Sequence, residues 1–301
     1  MSTGNPNPVS SYWLCPLYSF SCDCGGVDLV EGIQIVPIPR RFVEYLDRRY
    51  SGALRTLPSD AEWVAKFPSD GNASTANNSL VDLITALRLH RRGRVVAGLL
   101  TSARLENSEW DIGGATIWSY ISSMDFFQED PVYRFRETDV PEVNELLVDI
   151  HRCREAGILS KINIALERFH SAYHGDIEDR IIDQIIAFES LYLGNEQELT
   201  YKLASRVAFL LRKRKDHKIL IFNNIKKAYE YRSRIVHGNN PPTRDELRAI
   251  VSKTEECLRQ SIRRFLLLLS KRHSVKHLRQ GARGKLAELD ENILSNGRLL
   301  A

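Results

Sequence analysis

The sequence predicts an α+β chain: a small, mostly β N-terminal domain followed by an all-α, up-and-down helical bundle. Three observations carry this. Short apolar runs alternate with small polar residues between residues 12 and 38, and again near 94–101 and 115–121, with Gly25-Gly26, Gly93 and Gly113-Gly114 between them, which is the period of a strand. After a charged junction, Glu129-Asp130-Pro131 and Arg134-Phe135-Arg136-Glu137, the apolar residues recur at helical spacing. The 301 residues are also enough for two modest cores. The expected layout is a polar, disordered tail over 1–11, a β-rich domain over 12–137, a helical domain over 138–271 and a basic tail over 272–301.

Taken in order, Tyr12-Trp13-Leu14-Cys15, Leu17-Tyr18-Ser19-Phe20 and Gly32-Ile33-Gln34-Ile35-Val36-Pro37-Ile38 read as strands. Pro39 opens a helix with Phe42, Leu46 and Tyr50 on one stripe, ended by Gly52. Asp70 to Ser79 is rich in turn formers and reads as a loop or linker. Leu80 to His90 fits helix or strand. Arg94 to Thr101 and Ala115 to Ile121 favour strands. Trp13, Trp63, Trp110 and Trp118 serve core packing or the lining of a sensing pocket, with packing the plainer use.

Beyond the junction, Pro141 and Gly157 bracket a helix with Val143, Leu146, Leu147 and Ile150 on one side, and Ile162 to Tyr173 forms the next. Glu178 to Leu193 is apolar on more than one face and so should be central. Glu189 interrupts that surface and requires a partner, Arg206 or Arg232. Glu196 to Arg214 supplies a fourth helix. Thr243-Arg244-Asp245-Glu246 is a capping box that opens the last, through Ile250, Leu258, Ile262, Phe265, Leu266 and Leu269.

The five cysteines, Cys15, Cys22, Cys24, Cys153 and Cys257, are odd in number and irregularly spaced. That pattern argues against a secreted disulfide framework and for a reducing cytoplasm. Three of them could face one metal, but no fourth ligand stands at a recognised spacing, so neither metal nor cofactor is expected. Met1 to Ser11 lacks the order of a signal peptide, and the apolar run Phe265 to Leu269 is too short to span a bilayer. A net charge of +4 is too small to identify a nucleic-acid partner, so local clusters must do so.

Chemistry concentrates in Tyr229-Glu230-Tyr231-Arg232-Ser233-Arg234-Ile235-Val236-His237-Gly238. Arg232 offers a planar fork of donors that fits a phosphate, and His237 can transfer protons near neutral pH. Residues five apart lie about 140° apart round a helix, whereas Arg234 and His237 share a face. Gly238, Pro241 and Pro242 mark a helix stop that puts His237 in the last turn or just beyond, where its ring could swing toward Arg232.

This stretch, with Ala165-Leu166-Glu167-Arg168-Phe169, Ile177 to Asp183, Ala187-Phe188-Glu189-Ser190-Leu191 and Leu203 to Ala208 upstream, resembles the Apea-like branch of the HEPN superfamily over about residues 160 to 270. The resemblance implies a helical domain that dimerises, a metal-independent endoribonuclease, and a place in prokaryotic anti-phage defence. In related ribonucleases the Arg and His of two protomers meet in one composite site. Arg232 and His237 would then be catalytic, with Tyr231, Ser233, Arg234 and Glu189 in support. Ser233 departs from the Asn, Asp or His often found after the motif arginine in active members. The other expectation is a catalytically silent module for dimerisation or RNA binding, coupled to an N-terminal sensor.

Arg212, Lys213, Arg214, Lys215 and Lys218, followed by Lys226 and Lys227, form the densest basic patch, and the first five are the expected contacts for an RNA backbone. Lys271 to Lys285 holds six Lys or Arg and no acid, a nucleic-acid arm or a solvated tail.

Overall fold

The structure is a computed structural model that describes residues 10–50, 61–106, 109–117, 119, 130–193, 199–238 and 240–271. Residues 1–9, Trp118, Tyr120-Ile121 and the basic stretch 272–301 lie outside the described residues, and so do the expectations that fall on them. Contacts divide the chain between Val148 and Asp149, inside a helix that follows the junction expected near residue 137.

The N-terminal unit is organised around β1 (Ser10–Tyr18). It pairs antiparallel with β5 (Trp63–Pro68) on one side and β7 (Leu100–Glu106) on the other. β4 (Gln34–Pro37) and β3 (Val27–Asp28) extend the sheet past β5, and β8 (Glu109–Ile117) forms the edge past β7. Ser10 and Ser11, expected in a disordered tail, pair with Leu105 and Arg104. A ladder needs only backbone donors and acceptors, so polar side chains at a strand end do not prevent pairing.

Toward the end of β1 the partner changes from β7 to β6 (Val96–Ala97). Pro16 stands at that change. A strand residue's N–H and C=O point to the same side, and Pro16 accepts from the Gly98 N–H at 2.9 Å, so the donor that proline lacks faces the break in the ladder. The expected strand over 94–101 is split here for the same reason. Beside the main sheet, β2 (Phe20–Cys22) pairs parallel with β9 (Tyr133–Phe135), with the rings of Phe20 and Tyr133 stacked at 5.8 Å.

Two helices cover this unit. On α1 (Arg40–Tyr50), Phe42 and Leu46 pack with Leu14, Val64 and Ala103 as the stripe predicts; burying each contributes roughly 1.5–3 kcal/mol. The stretch read as a linker is instead the first turns of α2 (Ala73–His90). Asn72 caps it by accepting the Ser74 N–H at 2.9 Å, and Asp70 accepts the Asn72 N–H at 2.8 Å. The same residue types favour a turn and a helix N-cap, and the buried run from Leu80 to Leu89 selects the helix.

The thiols divide. Cys15 is fully buried, and the Cys22 and Cys24 side chains lie side by side.

The helical unit continues from α3 (Val140–Glu155) through α4 (Asn163–Ser171), α5 (Ile177–Tyr192), α6 (Leu199–Leu211), α7 (Lys215–His237) and α8 (Arg244–Ser270). α5 packs against α4, α6, α7 and α8, the central place its all-round apolar pattern demands. Its core holds charge as well. Glu255 on α8 accepts from Arg180 and Arg259 at 2.8 Å each and from the Tyr173 hydroxyl at 3.3 Å. The capping box forms as expected, with the Thr243 hydroxyl accepting the Glu246 N–H and the Glu246 carboxylate accepting the Thr243 N–H.

Candidate functional site

α7 presents two faces because of its spacing. Ile221, Ile225, Ala228 and Tyr231 are buried at i, i+4, i+7 and i+10, which leaves Lys226, Glu230, Ser233 and His237 on another side. With Tyr229, Arg234 and Thr200 of α6, these line a groove of about 340 Å³. His237 is exposed and is the last residue of the helix. Gly238, at φ 66°, ends it with the left-handed cap that the sequence signals.

Because the helix runs unbroken through His237, Arg232 and His237 keep the angular separation of a straight helix, about 140°. Arg232 is not among the groove residues. It is half-buried beside the Tyr229–Glu189 pair, and its Nε is closed to solvent with no hydrogen-bond partner among the described residues. Tyr229 adjoins Glu189. Burial, then the Glu189 charge and its contact with the phenol, push the phenol above its ordinary range, while the Arg232 cation pulls it back. Glu189 thus has Tyr229 as its neighbour on α7. Arg206, the other expected partner, donates to the Tyr192 carbonyl at 2.5 Å.

The supporting residues are fixed by different contacts. The Tyr231 hydroxyl donates to Glu246 at 3.1 Å and so ties α7 to the first turn of α8. Arg234 donates through Nε to the Asn240 carbonyl at 2.7 Å and lies 3.9 Å from Glu230. Ser233 lines the groove one turn before His237. A groove holding a hydroxyl, an imidazole, a guanidinium and an ammonium can receive an anion and move protons on it.

The basic patch is not uniform. Arg212 is half-buried and donates to Gln260 at 2.7 Å, Arg214 pairs with Asp216 at 3.1 Å, and the Lys218 ammonium lies 3.8 Å over the Phe209 ring. Lys213 and Lys215 are exposed. Thr200 and Glu230 went unnoticed as site residues, and Lys226, expected in the basic patch, stands instead in the groove with His237. Lys226 and Glu230 stand at helical intervals before His237, a signal the sequence carries, whereas Thr200 comes from another helix.

Cys15 does not join the other thiols in a metal site; its Sγ donates to the Gly98 carbonyl. Cys22, Asp23 and Cys24 bring ligand atoms within 4.8 Å of one another. Among the described residues no helix is long and apolar enough to cross a membrane.

No family model, no characterised protein and no solved structure matches the chain.

Proposed function

We propose that the chain is a metal-independent endoribonuclease whose site is completed by a second copy, in the manner its HEPN resemblance implies and in the same setting of prokaryotic anti-phage defence. The observation that carries this reading is the exposed His237 at the tip of α7, in a groove with Ser233, Arg234 and Lys226. The separation of Arg232 from His237 round one helix supports a composite site, since a second chain can supply what one chain holds apart.

In this reading a ribose 2′-hydroxyl attacks the adjacent phosphorus. The P–O2′ bond forms and the P–O5′ bond breaks, leaving a 2′,3′-cyclic phosphate and a 5′-hydroxyl. His237 moves the proton between these oxygens, and Arg232 counters the charge gathering on phosphorus. The RNA supplies its own nucleophile, so no bound metal is required. The test is incubation with RNA in excess chelator. Wild-type protein is expected to yield cyclic-phosphate ends, and His237→Ala to lose about 10² to 10⁴ in rate. Cleavage undiminished in His237→Ala would remove the histidine from the chemistry.

One observation favours the second reading, a silent module for dimerisation or RNA binding: Arg232 adjoins the Tyr229–Glu189 pair and is absent from the groove lining. RNA binding without cleavage by the wild type would select it. In both readings the exposed Lys213 and Lys215 contact the RNA backbone. Neutralising the two is expected to weaken binding and to flatten its salt dependence by about one unit of log–log slope per lost phosphate contact, read from titrations at several salt concentrations.

A further inference from the structure

Two thiols stand apart from the rest. Cys22 closes β2, and the chain then turns through Asp23, Cys24 and Gly25 toward β3. Both cysteines are half-buried, and Asp23 between them is exposed. Their Cα atoms lie 5.5 Å apart, the span usual across a disulfide. The turn itself is held by other atoms. The Asp23 N–H donates to the Phe135 carbonyl and the Asp23 carboxylate accepts the Glu137 N–H, each at 3.2 Å, which pins the turn to the end of β9.

Cys15, Cys153 and Cys257 are buried, and desolvation holds their thiols above the ordinary range. Cys22 and Cys24 are instead within reach of a molecule in solution. A bond between residues two apart in sequence closes a loop so short that it removes little entropy from the unfolded chain. Such a bond is a poor staple. Its making and breaking are governed by exchange chemistry, in which exposed disulfides are the labile ones.

We propose that Cys22 and Cys24 form a thiol–disulfide exchange site that reacts with small disulfides of the glutathione class. One cysteine, as its thiolate, attacks a sulfur of the incoming disulfide; that S–S bond breaks and one small thiolate leaves, taking up a proton. The second cysteine then attacks the protein sulfur of the mixed disulfide. The Cys22–Cys24 bond forms and the second small thiol departs. The chain gives up two electrons and two protons, and the small disulfide receives both.

The test equilibrates the full chain in buffers of stepped ratios of reduced to oxidised glutathione, quenches with acid, alkylates free thiols and weighs the peptide that carries residues 22–24. Reversible passage between the doubly alkylated and the bridged peptide is expected within the series, with Cys15, Cys153 and Cys257 free of glutathione throughout. In Cys22→Ser and Cys24→Ser the remaining thiol has no neighbour to displace the adduct, so the mixed disulfide is expected to persist at least about tenfold longer than in the wild type. Denaturant midpoints of the bridged and open wild-type chain are expected to agree, since the Asp23 contacts hold the turn in both states. A pair alkylated at every ratio, a bridge that opens only after unfolding, a large drop in midpoint on reduction, or adducts equally persistent in wild type and variants would overturn the proposal. RNA takes no part in these measurements, so this site and the ribonuclease reading fail separately.

Discussion

At the scale of single residues, Gly98 is tightly constrained. Its N–H bonds the Pro16 carbonyl and its own carbonyl accepts from the Cys15 thiol. A Cβ there would lie 2.6 Å from the Pro16 ring and 2.8 Å from the Tyr18 ring, both in the packed centre of the sheet. Gly98→Ala is accordingly expected to cost about 1–3 kcal/mol, measured as a lower urea midpoint with unchanged slope. Burial also keeps the structural thiols inert. It pushes Cys15 far above its ordinary range, and Cys153 and Cys257 up to about 11. The residues of the groove on α7 differ in kind: His237 is exposed and Arg234 is only half-buried, so changing them should touch function before stability.

At the scale of elements, caps decide where helices begin and how α7 meets α8. The Thr243 hydroxyl serves both the Glu246 N–H at 3.3 Å and the Glu246 carboxylate at 3.1 Å. The Thr243 backbone N–H, its hydroxyl and then the Tyr231 hydroxyl hold that carboxyl below its usual range. A carboxyl depressed in the fold contributes fully above its unfolded pKa and loses the contribution as pH falls through the folded value. Losing the N-cap in Thr243→Ala should cost about 0.5–2 kcal/mol near neutrality. The deficit should narrow as acid protonates Glu246, without vanishing, because the cap on the Glu246 N–H does not titrate. Denaturant midpoints of wild type and variant across the acid range measure this; a deficit constant in pH would sever Glu246 from the hydroxyl.

At the scale of the whole molecule, each unit has its own core, and both cores hold charge. The N-terminal unit buries Arg88 and Asp82, and the helical unit encloses Arg180, Glu255 and Arg259, these last three each at most 3% exposed. Glu255 is shared by two arginines and Tyr173, so it joins α5, α8 and the turn after α4. Removing one member leaves buried charge uncompensated. Glu255→Gln is expected to cost about 3–5 kcal/mol, read from chemical denaturation, and a loss below about 1 kcal/mol would show that the network does not sustain the helical core.

The amino-acid sequence alone determined the α+β class, the helical spacing of α5 and α7, the Thr243 capping box and the Gly238 stop, because each is written in residues a few positions apart. It set Arg232 and His237 about 140° apart in a straight helix yet left the imidazole free to swing toward Arg232, a question that the unbroken α7 decides. Tertiary structure decided the rest. Asn72 serves a turn or a cap equally well until the buried run after it packs, and β5, unremarked in the sequence, becomes a strand by lying between β1 and β4. Thr200 enters the groove, and Tyr229 meets Glu189, only because α6 and α5 come to lie beside α7. Such partners are far apart in the chain, and local periodicity carries no information about which distant surface will cover a given face.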